Sequence, residues 1–285
     1  MNLEEIVNCM LLNENDKEIQ RTQTEHRIKL VDFWQVKNGD RVLEVGCGQG
    51  DTTAVLANAV GTSGFVQGID IAPRTYGAPF TIGNATDHLK KSQLGAQMDF
   101  KLGTDILKGD ITFPEDAFDV AVLSHASWYF SSKSELTLML ELLSKWAKRV
   151  CYAEWDTRIT DVKQTSHMLA VLTQSSYEAF KQETQSNIRT FITPIDMQEI
   201  IQEHNWKMGA ETSIFSEKMQ DSQWEISYVK DFITKELEAD LGLPEKFKAF
   251  LLSQSKLITL ENSLPMASYC TSWQAKKFCF LFHKI

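Results

Sequence analysis

Arg41-Val42-Leu43-Glu44-Val45-Gly46-Cys47-Gly48-Gln49-Gly50 decides the fold of this 285-residue chain. A short apolar run, interrupted only by Glu44, enters a turn with glycine at every second position, and Asp51-Thr52-Thr53 then opens a helical pattern. Glycine has no Cβ, so a backbone that bends sharply and admits a ligand to contact distance is most easily built from it. The next run, Gly64-Phe65-Val66-Gln67-Gly68-Ile69-Asp70-Ile71, reads as a second strand. It places the Asp70 carboxylate at its C-terminal end, the edge at which open α/β sheets bind ligands.

The same alternation continues along the chain. A helix over 53–60 precedes the second strand, and after the loop 73–79 a helix over 82–94 is stopped by Gly95. Residues 98–103 alternate as a third strand, from whose end Thr104-Asp105-Ile106 leaves. The segment 113–117 is a loop into a fourth, buried strand ending at Ser124-His125-Ala126-Ser127-Trp128-Tyr129. A helix over 133–148, with Leu136, Leu140, Leu143 and Ala147 on one face, leads to a fifth strand over 149–155. Short strand-plus-helix units of this kind favour a parallel, doubly wound sheet with helices on both faces.

Elsewhere the pattern is helical. The chain to Trp34 reads as an N-terminal helical cap, 1–36, and residues 162–185 and 223–260 as long helices within two insertions, 156–192 and 216–264. A helix over 196–204 sits behind Thr193-Pro194, proline suiting a first turn. Residues 209–215 and 268–280 read as the last two strands, and the whole as one domain, 1–285.

The stretch from Glu44 through Gly46-Cys47-Gly48-Gln49-Gly50 to Asp70 resembles the cofactor-binding motif of class I S-adenosylmethionine-dependent methyltransferases of the small-molecule type. The spacing separates it from dinucleotide dehydrogenases, whose Gly-x-Gly-x-x-Gly turn brings a pyrophosphate to a helix N-terminus. S-adenosylmethionine carries a sulfonium, an amino-acid tail and a ribose instead. The resemblance implies a seven-stranded, mostly parallel, Rossmann-like α/β sheet, its last strand antiparallel between the fifth and sixth, with helical lid insertions. It further implies cofactor contacts from Glu44, Gly46, Cys47, Gly48, Asp70, Ile71, Thr104, Asp105, Ile106, Ser124 and His125, with Asp70 on the ribose hydroxyls and Asp105 on the adenine amino group. Asp105 also reads as a plain turn cap. Arg27, which shares a helical turn with Gln23 and His26, is placed against the cofactor carboxylate or on a solvated helix face.

Methyl transfer needs positioning and exclusion of water more than it needs a base. His125 and Glu154, at the ends of the fourth and fifth strands, are the candidate catalytic groups; imidazole changes charge near neutral pH. Each has a structural alternative, His125 as pocket lining and Glu154 as a carboxylate that fixes the lid. Trp128, Tyr129 and Trp155 are candidate acceptor walls, or else ordinary packing. His88, His167, His204 and His283 read as surface or capping residues.

Composition narrows the partners. Net charge is −9 with no basic cluster, so the attraction that drives nucleic-acid binding is missing, and a small-molecule acceptor is expected in place of a nucleic acid or a membrane. Ser124-His125-Ala126-Ser127 stands where DNA-adenine and glutamine methyltransferases carry an Asn-Pro-Pro-Tyr-type tetrapeptide. Cysteines 9, 47, 151, 270 and 279 have no paired spacing and no histidine at metal-ligand intervals, so they read as reduced thiols, with no metal site expected. An acidic N-terminus and the lack of a ~20-residue apolar run point to a cytoplasmic protein. Two other readings stay open: a cyclopropane-forming relative acting on lipid chains with the same cofactor, and a nicotinamide-dependent oxidoreductase.

Overall fold

The computed structural model describes residues 1–181 and 186–275. Strands β1 (Arg41–Val45), β2 (Phe65–Asp70), β3 (Met98–Leu102), β4 (Phe118–Ser124), β5 (Ala147–Trp155), β6 (Lys207–Ile214) and β7 (Ser268–Gln274) form one sheet in the order β3-β2-β1-β4-β5-β7-β6. The five strands from β3 to β5 are parallel, and β7 runs antiparallel between β5 and β6, as the resemblance implies. Helices cover both faces, so β1 is buried from Val42 to Val45 and reads as a continuous run instead of an alternating one. One core cluster gathers α5 (Lys133–Trp146) and α7 (Pro194–Glu203) on one face; the other gathers α2 (Lys17–Trp34) and α3 (Asp51–Val60). The chain reverses direction across the sheet between β1 and β4, whose ends pair Val45 with Leu123, and that crevice is where such sheets take ligands.

Some boundaries differ from expectation. The N-terminal helix is two pieces, α1 (Leu3–Val7) and α2, and the helix expected over 82–94 is α4 (Ile82–Lys91). The helix expected over 162–185 is a 3₁₀ turn followed by α6 (Thr165–Glu178), residues 182–185 lying outside the described chain. The helix expected over 223–260 is broken into α8 (Asp221–Tyr228), a π turn (Val229–Ile233), α9 (Thr234–Ala239) and α10 (Glu245–Ser255). Gly242 and Pro244 end it, since proline lacks an N–H and pushes the preceding residue out of helical geometry. Of the strand expected over 268–280, residues 276–280 lie outside the described chain.

The two insertions share a core of their own. Ala170 and Tyr177 of α6 pack with Ile226, Val229, Ile233, Leu237, Leu243, Leu251 and Ile258. Burying each large side chain contributes about 1.5–3 kcal/mol, so α6 and α8–α10 hold together as a helical unit in addition to resting on the sheet.

Candidate functional site

Three segments meet at the C-terminal edge of β1. The turn after β1 is tied to β2 by Gly46 and Cys47, whose amides donate to the Ile69 carbonyl at 2.9 and 3.2 Å. Gly46 has φ +76°, and a Cβ there would stand 2.6 Å from Ala126 Cβ, so glycine lets β1 and β4 end side by side. Gly48 has φ +51° with open space around its missing Cβ, which is what the approach of a ligand requires.

Asp70 turns toward this bend. Its Oδ2 accepts the Gly48 amide at 2.7 Å and its Oδ1 the Ala72 amide at 2.8 Å. Beneath the turn, Glu44 is 2% exposed and accepts the Thr53 hydroxyl from the first turn of α3. Burial pushes the Glu44 carboxyl up to about 8, the Thr53 hydrogen bond and Arg27 pulling the other way. A carboxyl so placed is ready for a cationic ligand group, which would recharge it. Cys47 is buried, and burial drives its thiol well above the ordinary range, so it is no nucleophile. With Cys9, Cys151 and Cys270 it is a buried free thiol, while Cys279 lies outside the described residues.

Around the rim, Ile71 is 66% exposed, whereas Ile106 is buried. The Thr104 amide donates to the Asp70 carbonyl. Asp105 Oδ1 accepts the Leu107 and Lys108 amides at 3.0 and 3.2 Å and Oδ2 pairs with Lys108, so the carboxylate closes its own turn. Arg27 hydrogen-bonds Gln23 at 3.2 Å and lies 3.7 Å from Asp51 at the head of α3. A cavity of about 360 Å³ adjoins this end, lined by Gln20 and Gln23 of α2, Gln49, Asp51, Phe80 and Trp224 among others.

Across the crevice, Ser124 ends β4 and His125 follows at φ +49°, a left-handed conformation histidine tolerates better than most side chains. Its amide donates to the Ala153 carbonyl of β5 at 2.8 Å. His125 Nδ1 lies 3.2 Å from Ser124 Oγ, and Nε2 lies 2.9 Å from Ser268 Oγ at the start of β7. Ser268 Oγ is also 2.8 Å from His26 Nε2. Burial holds both rings neutral: His26 is pushed down to about 3, and His125 well below its ordinary value, with Arg27 adding to both. Trp155 stacks edge-on against His125 at 5.1 Å and against His167 at 5.3 Å.

Glu154 is 3% exposed and accepts the Ser127 hydroxyl at 2.7 Å, the Ser127 amide at 3.2 Å and the Trp155 amide at 3.1 Å. Burial pushes its carboxyl up to about 7 against those bonds. It fixes the turn after β4 from below: two of these bonds come from Ser127 of that turn and the third from Trp155 of its own strand. Trp128 is 4% exposed and donates from Nε1 to the Ile192 carbonyl at 2.9 Å, so it anchors the returning insertion, while Tyr129 beside it is 42% exposed.

One expectation is corrected and one residue is added. His167 is neither surface nor cap: it is fully buried on α6, with Nδ1 accepting the Met266 amide at 2.9 Å and Nε2 unpartnered. Its neighbour Met266 lies about a hundred residues away, beyond the reach of spacing. Ser268 was missed altogether, because only the antiparallel entry of β7 brings it to two histidines. His204 does cap α7, bonding the Ile200 carbonyl and Glu141, and His88 is exposed at the end of α4, whereas His283 lies outside the described residues.

The described residues hold no cluster of three or more His, Cys, Asp or Glu side chains arranged for a metal ion, and no helix long and apolar enough to cross a membrane. The Asp70 carboxylate, the open Gly48 turn, buried Glu44 and exposed Ile71 suit a nucleoside with a charged amino-acid tail, while Asp51 at the head of α3 accepts from Gln20 at 2.9 Å and lies 3.7 Å from Arg27.

Comparison with known proteins agrees. The family model for a methyltransferase domain matches residues 36–221. A cyclopropane-fatty-acyl-phospholipid synthase-like protein from Lactobacillus casei is 34% identical and superimposes with a TM-score of 0.87 over 95% of this chain and 98% of that one. Methyltransferase phomM′ of Diaporthe leptostromiformis is 30% identical over 159 residues, 48% of this chain and 41% of its own length. The 2-phytyl-1,4-naphtoquinone methyltransferase of Synechococcus elongatus is 34% identical over 89 residues, 31% of this chain and 34% of its own. The chain thus spans well under half the length of these two curated relatives. By motif, topology and family match, it belongs to the methyltransferase-domain family, with the fold of a class I S-adenosylmethionine-dependent methyltransferase.

Proposed function

We propose that the protein transfers a methyl group from S-adenosylmethionine to a small molecule. The observation that carries this is Asp70 of β2 held against the Gly48 amide at 2.7 Å, with β1 alone between it and Ser124 and His125 at the end of β4. Bound there, S-adenosylmethionine supplies a methyl carbon activated by positive sulfur. Asp70 receives the ribose hydroxyls, and Ile71 and Ile106 flank the adenine beside Thr104 and Asp105. Glu44 and Arg27 meet the ammonium and carboxylate of the amino-acid tail, with Gly46, Cys47 and Gly48 forming the floor. Ser124 and His125 face the methyl group, and Tyr129 and Trp155 border the acceptor. Trp224 of α8 lines the cavity beside Gln49 and Asp51, and His167 of α6 packs on Trp155, so these helices shield that edge from water, which strengthens positioning.

Calorimetry tests the reading. S-adenosylhomocysteine is expected to bind at micromolar concentration and NADH not at all; binding of NADH alone sinks it in favour of oxidoreduction.

The name of the Lactobacillus casei relative supports a second reading, in which the acceptor is a lipid alkene and the added methylene closes a cyclopropane ring. The net charge of −9 speaks against an anionic lipid surface. Incubation with vesicles of mono-unsaturated phosphatidylglycerol and labelled cofactor separates the two, since label entering the acyl chains moves the acceptor to lipid.

A further inference from the structure

Five side chains from four parts of the fold form a single line of hydrogen-bond contacts. Ser124 Oγ lies 3.2 Å from His125 Nδ1, and His125 Nε2 lies 2.9 Å from Ser268 Oγ. Ser268 Oγ lies 2.8 Å from His26 Nε2, and His26 Nδ1 lies 2.9 Å from Ser216 Oγ, which also accepts from Lys29 Nζ at 3.1 Å. The line starts in the crevice at the end of β4 and ends at Lys29, an exposed residue of α2 paired with exposed Glu25. Ser268 is fully buried, and the two ring centroids stand 6.1 Å apart, so its hydroxyl is the link between the histidines.

We propose that Ser124, His125, Ser268, His26 and Ser216 form a proton exit from the methyl-transfer site, and that the acceptor is therefore one whose nucleophilic atom arrives carrying a proton. The inference rests on the methyltransferase reading above.

A neutral imidazole has one donor and one acceptor nitrogen, and a hydroxyl donates once. Every link is satisfied when Ser124 donates to His125 Nδ1, His125 Nε2–H to Ser268, Ser268 to His26 Nε2, and His26 Nδ1–H to Ser216. Ser216, receiving from both His26 and Lys29, then turns its own hydrogen to water. The reversed polarity satisfies the interior links equally well, and two equivalent polarities are what proton conduction requires. In the reaction the methyl C–S bond breaks with its electron pair left on sulfur, and a lone pair of the acceptor forms the new bond to carbon. The acceptor's proton passes through Ser124 Oγ to His125 Nδ1. The Nε2 proton moves to Ser268, the Ser268 proton to His26 Nε2, and the His26 Nδ1 proton through Ser216 to water. One proton enters and one leaves, and both rings finish neutral in their other tautomers.

Burial supplies the reason for a conduit. Burial of both rings is the larger cause, and the charges of Arg27 and Lys29 beside His26, with Arg27 also acting on His125, oppose a positive charge on either ring. Rings held neutral in this way cannot store the proton as an ordinary general base near neutral pH would, so it has to be passed on.

Two measurements decide the matter. In ¹⁵N-histidine-labelled protein at pH 7, both rings should be neutral, with a hydrogen on one of the two Nε2 atoms that face Ser268. An imidazolium at either position, or hydrogens on both Nε2 atoms or on neither, breaks the line and overturns the proposal. In turnover with labelled cofactor, the probes are a series of phenols un-ionised at the assay pH and 4-nitrophenol, largely ionised at pH 8. Ser268→Ala should lower kcat on the un-ionised phenols by about 10²-fold or more. On nitrophenolate the loss should shrink to within about threefold, and Ser268→Thr should restore the rate. Equal losses on both acceptors, or no loss, overturn the proposal. So does a wild-type protein that binds S-adenosylhomocysteine yet methylates no phenol; a wild type that fails to bind it overturns the methyltransferase reading itself. Should Ser268→Ala not fold, by circular dichroism, His26→Phe and Ser216→Ala interrupt the same line elsewhere and are held to the same outcomes.

Discussion

The Asp70 carboxylate accepts the Gly48 amide at 2.7 Å and so ties the end of β2 to the turn after β1. One carboxylate thereby shapes the bend and presents an acceptor edge to it. Asp70→Ala is expected to weaken S-adenosylhomocysteine binding by at least about tenfold, since a hydrogen bond to a charged group is worth roughly 1.5–3 kcal/mol. Isothermal titration calorimetry reads this directly, and unaltered affinity would remove Asp70 from the site.

Gly46 and Gly48 are expected to fail differently. Gly46→Ala meets Ala126 Cβ at 2.6 Å in a left-handed conformation, and should destabilise the fold by about 1–3 kcal/mol. Gly48→Ala meets nothing, so its added methyl group should cost less stability and more affinity. Thermal melts paired with ligand titrations check the contrast, which a larger melting loss for Gly48→Ala would reverse.

Glu44 makes stability fall with rising pH. Its ordinary value is near 4.5 and burial raises it to about 8. Below pH 4.5 both folded and unfolded chains hold the proton. Between 4.5 and 8 only the folded chain does, so stability declines by up to about 1.4 kcal/mol per pH unit and levels off above 8. Glu154, raised to about 7, adds a decline of the same sign up to that pH. Urea denaturation across pH 5–8 should show the slope, and Glu44→Gln should flatten it. A ligand ammonium that favours ionised Glu44 should release a proton on binding, seen as a buffer-dependent heat; equal heats in phosphate and Tris would exclude that pairing.

Glu154→Gln separates positioning from base chemistry. Both carboxyl oxygens are taken by the Ser127 and Trp155 groups, so the amide should keep turnover within about tenfold while shifting the melting point. A fall of 10²–10⁴ in kcat with unchanged S-adenosylhomocysteine affinity would instead return Glu154 to the role of proton acceptor.

The parts of the fold and site legible in the chain were those written in local order. Val42 to Val45 before alternating glycines, and Gly68-Ile69-Asp70 at the end of the next run, identify two parallel strands and the crevice between them, because strand burial and left-handed turns leave their signature within a few residues. The break at Gly242 and Pro244 was equally local, yet apolar periodicity on both sides ran through it.

Tertiary structure alone decided the polar interior. Ser268 is 143 residues from His125 and 242 from His26, and only the antiparallel insertion of β7 beside β5 brings their atoms together. Burial on α6 likewise depends on elements far along the chain, so His167, polar by composition, became a core residue. Periodicity determines which face of an element is apolar, while the partner of a buried donor or acceptor depends on how distant elements are stacked, and hydrogen bonds between them are made after that stacking is set.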